Sequence, residues 1–246
     1  LSPYMHQLVD GENLLAIQGL NSAVSDGTFF IQPKMTGVLR SQFVPETTYP
    51  TLIGTSADAR VLVPAQQSDL TFNAFDWNDP EYDDLAAPGW FSANLAIGYD
   101  SGGGLVGNQL HVNGDIESQM LGKNSSALIR IPFEVTEKNE LQALTFNLAY
   151  DDGAVVYLNG QEVVRENSPA GVLAYDVSAA SSSGVTMINE YQAALPNGGG
   201  TTNITTLASF NGGADPGAAG ADTTYGSDRL VDGNFAGVSP GQGDVG

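Results

Sequence analysis

Apolar and polar residues alternate along several segments of the chain, which is the pattern of β-strands with one buried face. Residues 129–135 and 144–150 show this alternation most clearly. Shorter apolar runs at 14–17 and 28–31 lie on either side of an Asp26-Gly27 turn signal. Patterns with a helical period are weak by comparison. The sequence therefore predicts an all-β fold, an antiparallel β-sandwich.

The segment after residue 150 carries the strongest turn signals. Asp151-Asp152-Gly153 predicts a turn, and residues 154–158 are apolar on both faces, as expected of a central strand. Asn159-Gly160 follows, a pair typical of two-residue hairpins, because both turn positions need a positive φ. Residues 162–165 would return as the partner strand. Together with the strands at 129–135 and 144–150, this predicts an antiparallel meander from residue 129 to residue 165.

Two stretches have the composition of connecting segments. Residues 41–50 are rich in Pro, Thr and Glu, which predicts a linker. From about residue 178 the chain becomes small and polar, and the glycines are concentrated in the last fifty residues. Such a composition buries too little apolar surface to order itself. We therefore predict an irregular, Gly-rich region over 186–246, either a linker or the start of a further module.

A set of short motifs resembles a β-sandwich repeat module found in large exported proteins of planctomycetes, verrucomicrobia and related marine bacteria. The motifs that carry the resemblance are Trp90, Gly98-Tyr99-Asp100, Arg130 with Phe133, Tyr150–Gly153, Tyr157–Gly160 and Arg165-Glu166-Asn167-Ser168-Pro169. They also look like the galactose-binding-like jelly roll of some glycoside hydrolases. The resemblance implies a jelly-roll sandwich over 51–185, an extracellular or cell-surface location, and a neighbourhood of adhesive or sugar-recognition modules.

The order of segments departs from that module in one respect. A closing segment that normally follows the Arg-x-Asn-x-Pro loop resembles residues 11–21 of this chain, which come first. Residues 1–40 are therefore expected to be closing strands, either of a preceding module or of the same sandwich in permuted order. In the first case, strand addition to a neighbouring subunit could build a head-to-tail array.

Charge and composition narrow the classes of function. Eight basic and 28 acidic residues give a formal charge of −20, which repels nucleic-acid backbones and argues against a nucleic-acid partner. Cysteine is absent, which excludes disulfides and thiolate chemistry. No apolar run is long enough to span a bilayer. The two histidines, His6 and His111, are far apart in sequence and match no catalytic or ligand spacing, so we predict no enzymatic activity.

The densest acidic stretch runs from residue 76 to residue 84. Its oxygen-bearing side chains are Asp76, Asn78, Asp79, Asp83 and Asp84. Carboxylate and amide oxygens at alternate positions suit Ca²⁺, although the full EF-hand spacing is missing. The same residue types also dominate turns, because they cap neighbouring backbone amides. Calcium binding and a plain turn therefore both remain open for this stretch.

Aromatic residues close to these acids are candidates for ligand contact. Trp77 and Tyr82 lie among acidic residues and are expected to be exposed, where their rings could stack on a sugar. Tyr99, Asp151 and Asp152 complete the candidate set, with a structural role in the turn as the alternative for the two aspartates. We therefore expect a non-catalytic binding module, with polysaccharide or cell-surface glycan as its ligand. The alternative is a structural or adhesive repeat that links or polymerises subunits in a surface layer or filament, with neighbouring protein modules as its partners.

Overall fold

A computed structural model describes residues 1–39, 49–102 and 111–191, together with the backbone of residues 204–209. The predicted linker at 41–50 lies largely outside these residues, as does most of the Gly-rich C-terminal region. All described residues belong to one unit, Leu1–Gly212. None of its described helices has the length and the apolar character that a membrane-spanning helix needs.

Strands dominate the described residues, and the helices are short. The strands are Gly11–Leu20 (β1), Thr28–Leu39 (β2), Thr51–Ile53 (β3), Asp58–Leu62 (β4), Thr71–Phe72 (β5), Phe75–Asp76 (β6), Phe91–Asn94 (β7), Ile97–Asp100 (β8), Gly114–Asp115 (β9), Ser126–Val135 (β10), Leu141–Asp151 (β11), Gly153–Leu158 (β12), Gln161–Glu166 (β13), Thr186–Tyr191 (β14) and Ile204–Ser209 (β15). The helices are one α-helical turn, Glu117–Met120 (α1), and the 3₁₀ segments Ser2–Gln7, Gln67–Leu70 and Lys138–Glu140.

Two sheets form the sandwich, which confirms the predicted all-β class. The first sheet has the strand order β13-β12-β1-β10-β4-β7, and the second has the order β15-β14-β11-β2-β8-β9, with β3 paired to β2. All pairs are antiparallel except the short β8–β9 pair. The alternating residues predicted to face inward, such as Ile129, Ile131, Phe146 and Leu148, are buried in the core. Burying such side chains contributes about 1.5–3 kcal/mol each.

The N-terminal strands occupy central positions in both sheets. β1 lies between β10 and β12, with Leu15 opposite both Ile131 and Leu158. β2 lies between β11 and β8. The sheets approach closely at Gly19, where an added Cβ would lie 2.5 Å from the ring of Phe29. Residues 1–39 therefore complete the same sandwich as the strands that follow them.

The meander predicted from residue 129 to residue 165 is wrong in part. β10 and β12 belong to the first sheet, but β11 belongs to the second, so the chain changes sheet twice. The Asp151-Asp152-Gly153 segment is thus a crossing between sheets rather than a hairpin turn. Only β12 and β13 form the predicted hairpin, with positive φ at Asn159 (47°) and Gly160 (84°).

The first segment of the predicted irregular C-terminal region is also a strand. β14 pairs with β11, and β15 pairs with β14, so both extend the second sheet. Residues 186–191 therefore belong to the sandwich and are neither a linker nor the start of another module. The physical reason is that β2 pairs with only one edge of β11. The backbone groups of its other edge can pair with a short β-forming segment, even when the flanks of that segment are rich in Gly and Ser.

Candidate functional site

The predicted site residues fall into two separate regions. The first, which we call the aromatic loop, comprises residues 64–90 and covers the outer face of the first sheet. Trp77, Tyr82 and Trp90 pack there against apolar side chains of β1, β4 and β10, namely Leu14, Ala16, Leu62 and Leu128. The loop therefore buries an apolar face of the sheet that water would otherwise contact.

The expectation that Trp77 and Tyr82 are exposed is wrong. Only 5% of Trp77 and 4% of Tyr82 is accessible to solvent. Trp77 packs edge-on against Tyr157, and Tyr82 against Trp90, whose indole Nε1 donates a 3.0 Å hydrogen bond to the Tyr82 hydroxyl. Burial raises the pKa of Tyr82. Because both rings are almost completely buried, neither residue presents a surface on which a sugar could stack.

Arg130 holds the aromatic loop to the sheet. Its buried guanidinium donates to the Asp84 carboxylate (Nε to Oδ2, 2.7 Å) and to three backbone carbonyls, those of Trp77, Asp79 and Tyr82. Arg60 donates to the other oxygen of the Asp84 carboxylate at 3.3 Å. Asp84 is therefore the ion-pair partner of Arg130.

Arg165 forms an ion pair with Glu162 on its own strand, β13. Its guanidinium donates two hydrogen bonds to the Glu162 carboxylate, at 2.7 and 2.5 Å. It also donates to the backbone carbonyls of Pro169 and Gly171. Arg165 therefore fastens the loop after β13 to the strand that precedes it.

The candidate calcium ligands of the aromatic loop have structural partners. Asp79 Oδ1 accepts a hydrogen bond from the Glu81 amide at 2.8 Å, and Asp83 Oδ1 accepts from the amides of the second and third residues after it. Asp84 is neutralised by two arginines, Asp76 is exposed and Asn78 is half-buried. No three Asp, Glu or His side chains among the described residues converge to hold a metal ion. The described contacts of residues 76–84 are therefore those of a turn region, with capped backbone amides and arginine pairs.

The second region, which we call the acidic corner, lies where the chain crosses from β11 to β12. It comprises Asn21, Ser22, Asp26, Tyr99, Asp151, Asp152 and Ser183. Asp151 and Asp152 are 3% and 1% exposed. The Asp152 carboxylate accepts hydrogen bonds from the amides of Ser22 (2.7 Å) and Ser183 (2.6 Å). It thus joins the loop after β1 to the segment that precedes β14.

Asp26 and Tyr99 extend the acidic corner towards β8. The Tyr99 hydroxyl donates to the backbone carbonyl of Asp26 at 3.0 Å and accepts from Asn21 Nδ2 at 2.8 Å. The Ser22 hydroxyl donates to Asp26 Oδ2 at 2.5 Å. Asn21 Oδ1 is buried without a hydrogen-bond partner among the described residues. Three predicted ligand residues, Tyr99, Asp151 and Asp152, are thus brought together, but as buried groups.

Burial raises the pKa values of three ionisable side chains in the acidic corner. Burial, together with the neighbouring Asp152 and Asp26, raises the pKa of Asp151 to about 7, although a hydrogen bond from Thr28 acts in the opposite direction. Burial also raises the pKa of Asp152, against the lowering effect of the Ser183 and Ser22 amides. The pKa of Tyr99 rises to about 12, mainly through burial. The acidic corner is therefore a place where negative charge is unfavourable.

Four of the seven residues of the acidic corner, Asn21, Ser22, Asp26 and Ser183, were not among the predicted site residues. Ser22 and Asp26 follow β1, and Ser183 lies in a Ser-rich stretch that reads as a linker. A usable signal was the cluster of Asn, Ser and Asp at 21–26 directly after a buried strand, since such residues bond backbone amides at strand ends.

Comparison with protein-family models, with curated proteins and with solved structures found no match to this chain. The function must therefore be inferred from its own residues. The chemistry within reach of these two regions is that of amide capping, ion pairing and proton binding. His6 and His111 are both exposed and belong to neither region.

Proposed function

We propose that this chain is a non-catalytic β-sandwich module of a larger extracellular protein, and that it serves as a structural or adhesive repeat. One observation carries the proposal: the side chains best suited to recognition or chemistry are engaged in internal contacts. Trp77 and Tyr82 fill the outer face of a sheet, Arg130 binds the loop that covers it, and Asp152 joins two loops. Such a distribution favours stability over ligand contact.

The N-terminal strands support a self-contained module. β1 and β2 pair within their own sandwich, so they are not free to complete a neighbouring subunit. Contact with neighbouring modules would instead use side chains or the exposed backbone edge of β13, which pairs with β12 on one side. The resemblance to exported bacterial modules and the charge of −20 both suit an extracellular setting without a nucleic-acid partner.

Glycan binding is a second candidate, and Phe75 is the observation that favours it. Phe75 begins β6 in the small β5–β6 hairpin of the aromatic loop, and 38% of it is exposed. The neighbouring Asp76 is also exposed and could accept hydrogen bonds from sugar hydroxyls. A sugar-binding role would therefore use this hairpin in place of Trp77, Tyr82 and Tyr99.

Retention of the full chain on a glycan array and on insoluble polysaccharide gels tests the two candidates. A structural repeat is expected to show no specific retention. Specific retention that is lost in Phe75→Ala would overturn the structural proposal in favour of glycan recognition. Leu85→Ala is the matched control, because Leu85 is an apolar residue of the same loop and is 82% exposed. Its removal should leave any sugar binding unchanged.

A further inference from the structure

The acidic corner places acidic groups together without a basic partner in the described residues. Asp151 faces Asp152 on its own crossing, Asp26 in the loop after β1 and Tyr99 on β8. The other ionisable groups on the elements around it are acidic too: Glu117 on α1, Asp100 opposite Thr28, and Glu166 at the end of β13. A buried cluster of this kind disfavours full ionisation, because like charges repel and water is excluded.

The basic side chains of the described residues are engaged elsewhere or lie on other parts of the fold. Arg60 and Arg130 bind Asp84, and Arg165 binds Glu162. Lys123 donates to the Ser118 carbonyl and Lys138 to the Leu8 carbonyl. Lys34 lies in β2 opposite Asn147, four residues beyond the pair formed by Phe30 and Asp151. Within this part of the chain, therefore, no arginine or lysine is placed to neutralise the acidic corner.

The two adjacent carboxyl groups differ in what they accept. Both oxygens of Asp152 accept backbone N–H groups, which stabilises its ionised form. Asp151 is equally buried, and its carboxyl group shares a side-chain hydrogen bond with Asp152. A proton on Asp151 could be donated to Asp152, whose oxygens each retain a second lone pair. The geometry thus favours one proton for the pair, carried by Asp151.

We propose that the acidic corner is a pH-sensitive contact between chain segments. While Asp151 and Asp152 share a proton, Asp152 keeps the loop after β1 and the segment around Ser183 bound to the sandwich. Loss of the proton leaves two adjacent buried negative charges. The hydrogen bonds that the amides of Ser22 and Ser183 donate to Asp152 are then opposed by repulsion between the two carboxylates. Opening of this corner would free the segment that leads into β14.

The direction of the pH effect follows from proton linkage. The pKa of Asp151 rises from 3.8 to about 7 on folding, so between these values the folded state binds more protons than the unfolded state. The stabilisation is complete below about pH 4 and is lost as the pH rises through about 7. Between pH 5 and pH 8 the folding equilibrium constant should fall by roughly 10- to 100-fold.

Urea denaturation of the full chain between pH 5 and pH 8, with excess chelator, tests the proposal. Wild type should lose stability over this range, whereas Asp151→Asn should be much less dependent on pH and more stable than wild type at pH 8. The control Asp115→Asn removes an exposed carboxylate that caps the Glu117 amide, a bond that asparagine can also accept. It should keep the pH profile of wild type.

Hydrogen exchange provides a second readout that does not depend on global unfolding. At pH 8, after correction for intrinsic exchange rates, protection at the amides of Ser22 and Ser183 should decrease in wild type and persist in Asp151→Asn. Equal pH profiles for wild type and Asp151→Asn would overturn the proposal. So would a stabilisation of wild type by CaCl₂ at pH 8 that Asp151→Asn abolishes, because the acidic corner would then bind a cation and not a proton.

Discussion

The aromatic loop and the acidic corner both contain carboxylates that the sequence marks as candidate ligands, but they neutralise negative charge in different ways. In the aromatic loop, Asp84 receives two arginines, and Arg130 satisfies three further carbonyls. In the acidic corner, Asp151 and Asp152 receive hydrogen bonds but no basic side chain from the described residues. An acidic composition alone therefore does not indicate a site; what matters is whether burial is matched by opposite charge.

Among the substitutions that test this comparison, Arg130→Met should change the free energy of unfolding most. Arg130→Met leaves Asp84 with Arg60 alone and removes the guanidinium that donates to three backbone carbonyls in a buried region, so we expect a loss of about 3–5 kcal/mol in the free energy of unfolding. Urea denaturation at pH 7 measures it. Arg60→Met is the matched control, because Arg60 is 20% exposed and its loss should cost much less. Equal costs for the two variants would contradict the central role of Arg130.

In the acidic corner, Asp152 has the role that Arg130 has in the aromatic loop, because it bonds separate segments of the chain to each other. Asp152→Ala removes the acceptor of two backbone amides, so we expect a loss of about 1–3 kcal/mol in the free energy of unfolding. Asp152→Asn keeps one carbonyl oxygen and should lie between alanine and wild type. The loss should be smaller at pH 8 than at pH 5, because the substitution also removes a charge next to Asp151. A larger loss at pH 8 would mean that the ionised pair is favourable.

Local patterns in the sequence were enough to predict six of the fifteen described strands, β1, β2 and β10 to β13, but not how they combine. The alternation at 144–150 is the same whichever sheet the strand joins, so it could not distinguish a hairpin from the crossing at Asp151-Asp152-Gly153. The Asn159-Gly160 turn was predicted because its signal lies in two adjacent residues. The permuted or preceding position of residues 1–40 stayed open, since pairing of β1 with β10 joins residues more than a hundred positions apart.

The candidate site was harder to predict for the same reason. Trp77 and Tyr82 lie among acids, which favours exposure when only their neighbours in sequence are considered. The apolar surface that buries them comes from distant strands, with Leu14 on β1 and Leu128 on β10. A structural role for Asp151 and Asp152 could be predicted, but the amides that bond to Asp152, those of Ser22 and Ser183, lie 130 and 31 positions away.

Tryptophan fluorescence tests the comparison through the solvent accessibility of a ring instead of through stability. The chain has two tryptophans, Trp77 and Trp90, and both are buried in the aromatic loop. In Trp90→Phe the remaining indole, that of Trp77, should be weakly quenched by acrylamide and iodide when folded and strongly quenched in urea. Strong quenching in the folded state would restore the expectation of an exposed ring available for sugar stacking.

The smallest effect is expected at Asp83, an exposed acid of the aromatic loop. Its Oδ1 accepts from the amides of Leu85 and Ala86, and an asparagine oxygen can accept the same bonds. Asp83→Asn should therefore change the free energy of unfolding by less than about 0.5 kcal/mol.

If residues 76–84 held Ca²⁺, removing one of their carboxylates would weaken binding, because affinity depends on the number of charged ligands. Melting of wild type and Asp83→Asn with chelator and with CaCl₂ separates the two cases. In each protein the midpoint should be the same with chelator and with CaCl₂, since hydrogen bonds and arginines already hold this loop. A calcium-dependent rise in wild type that is reduced in Asp83→Asn would instead locate a cation in the aromatic loop and remove the contrast with the acidic corner.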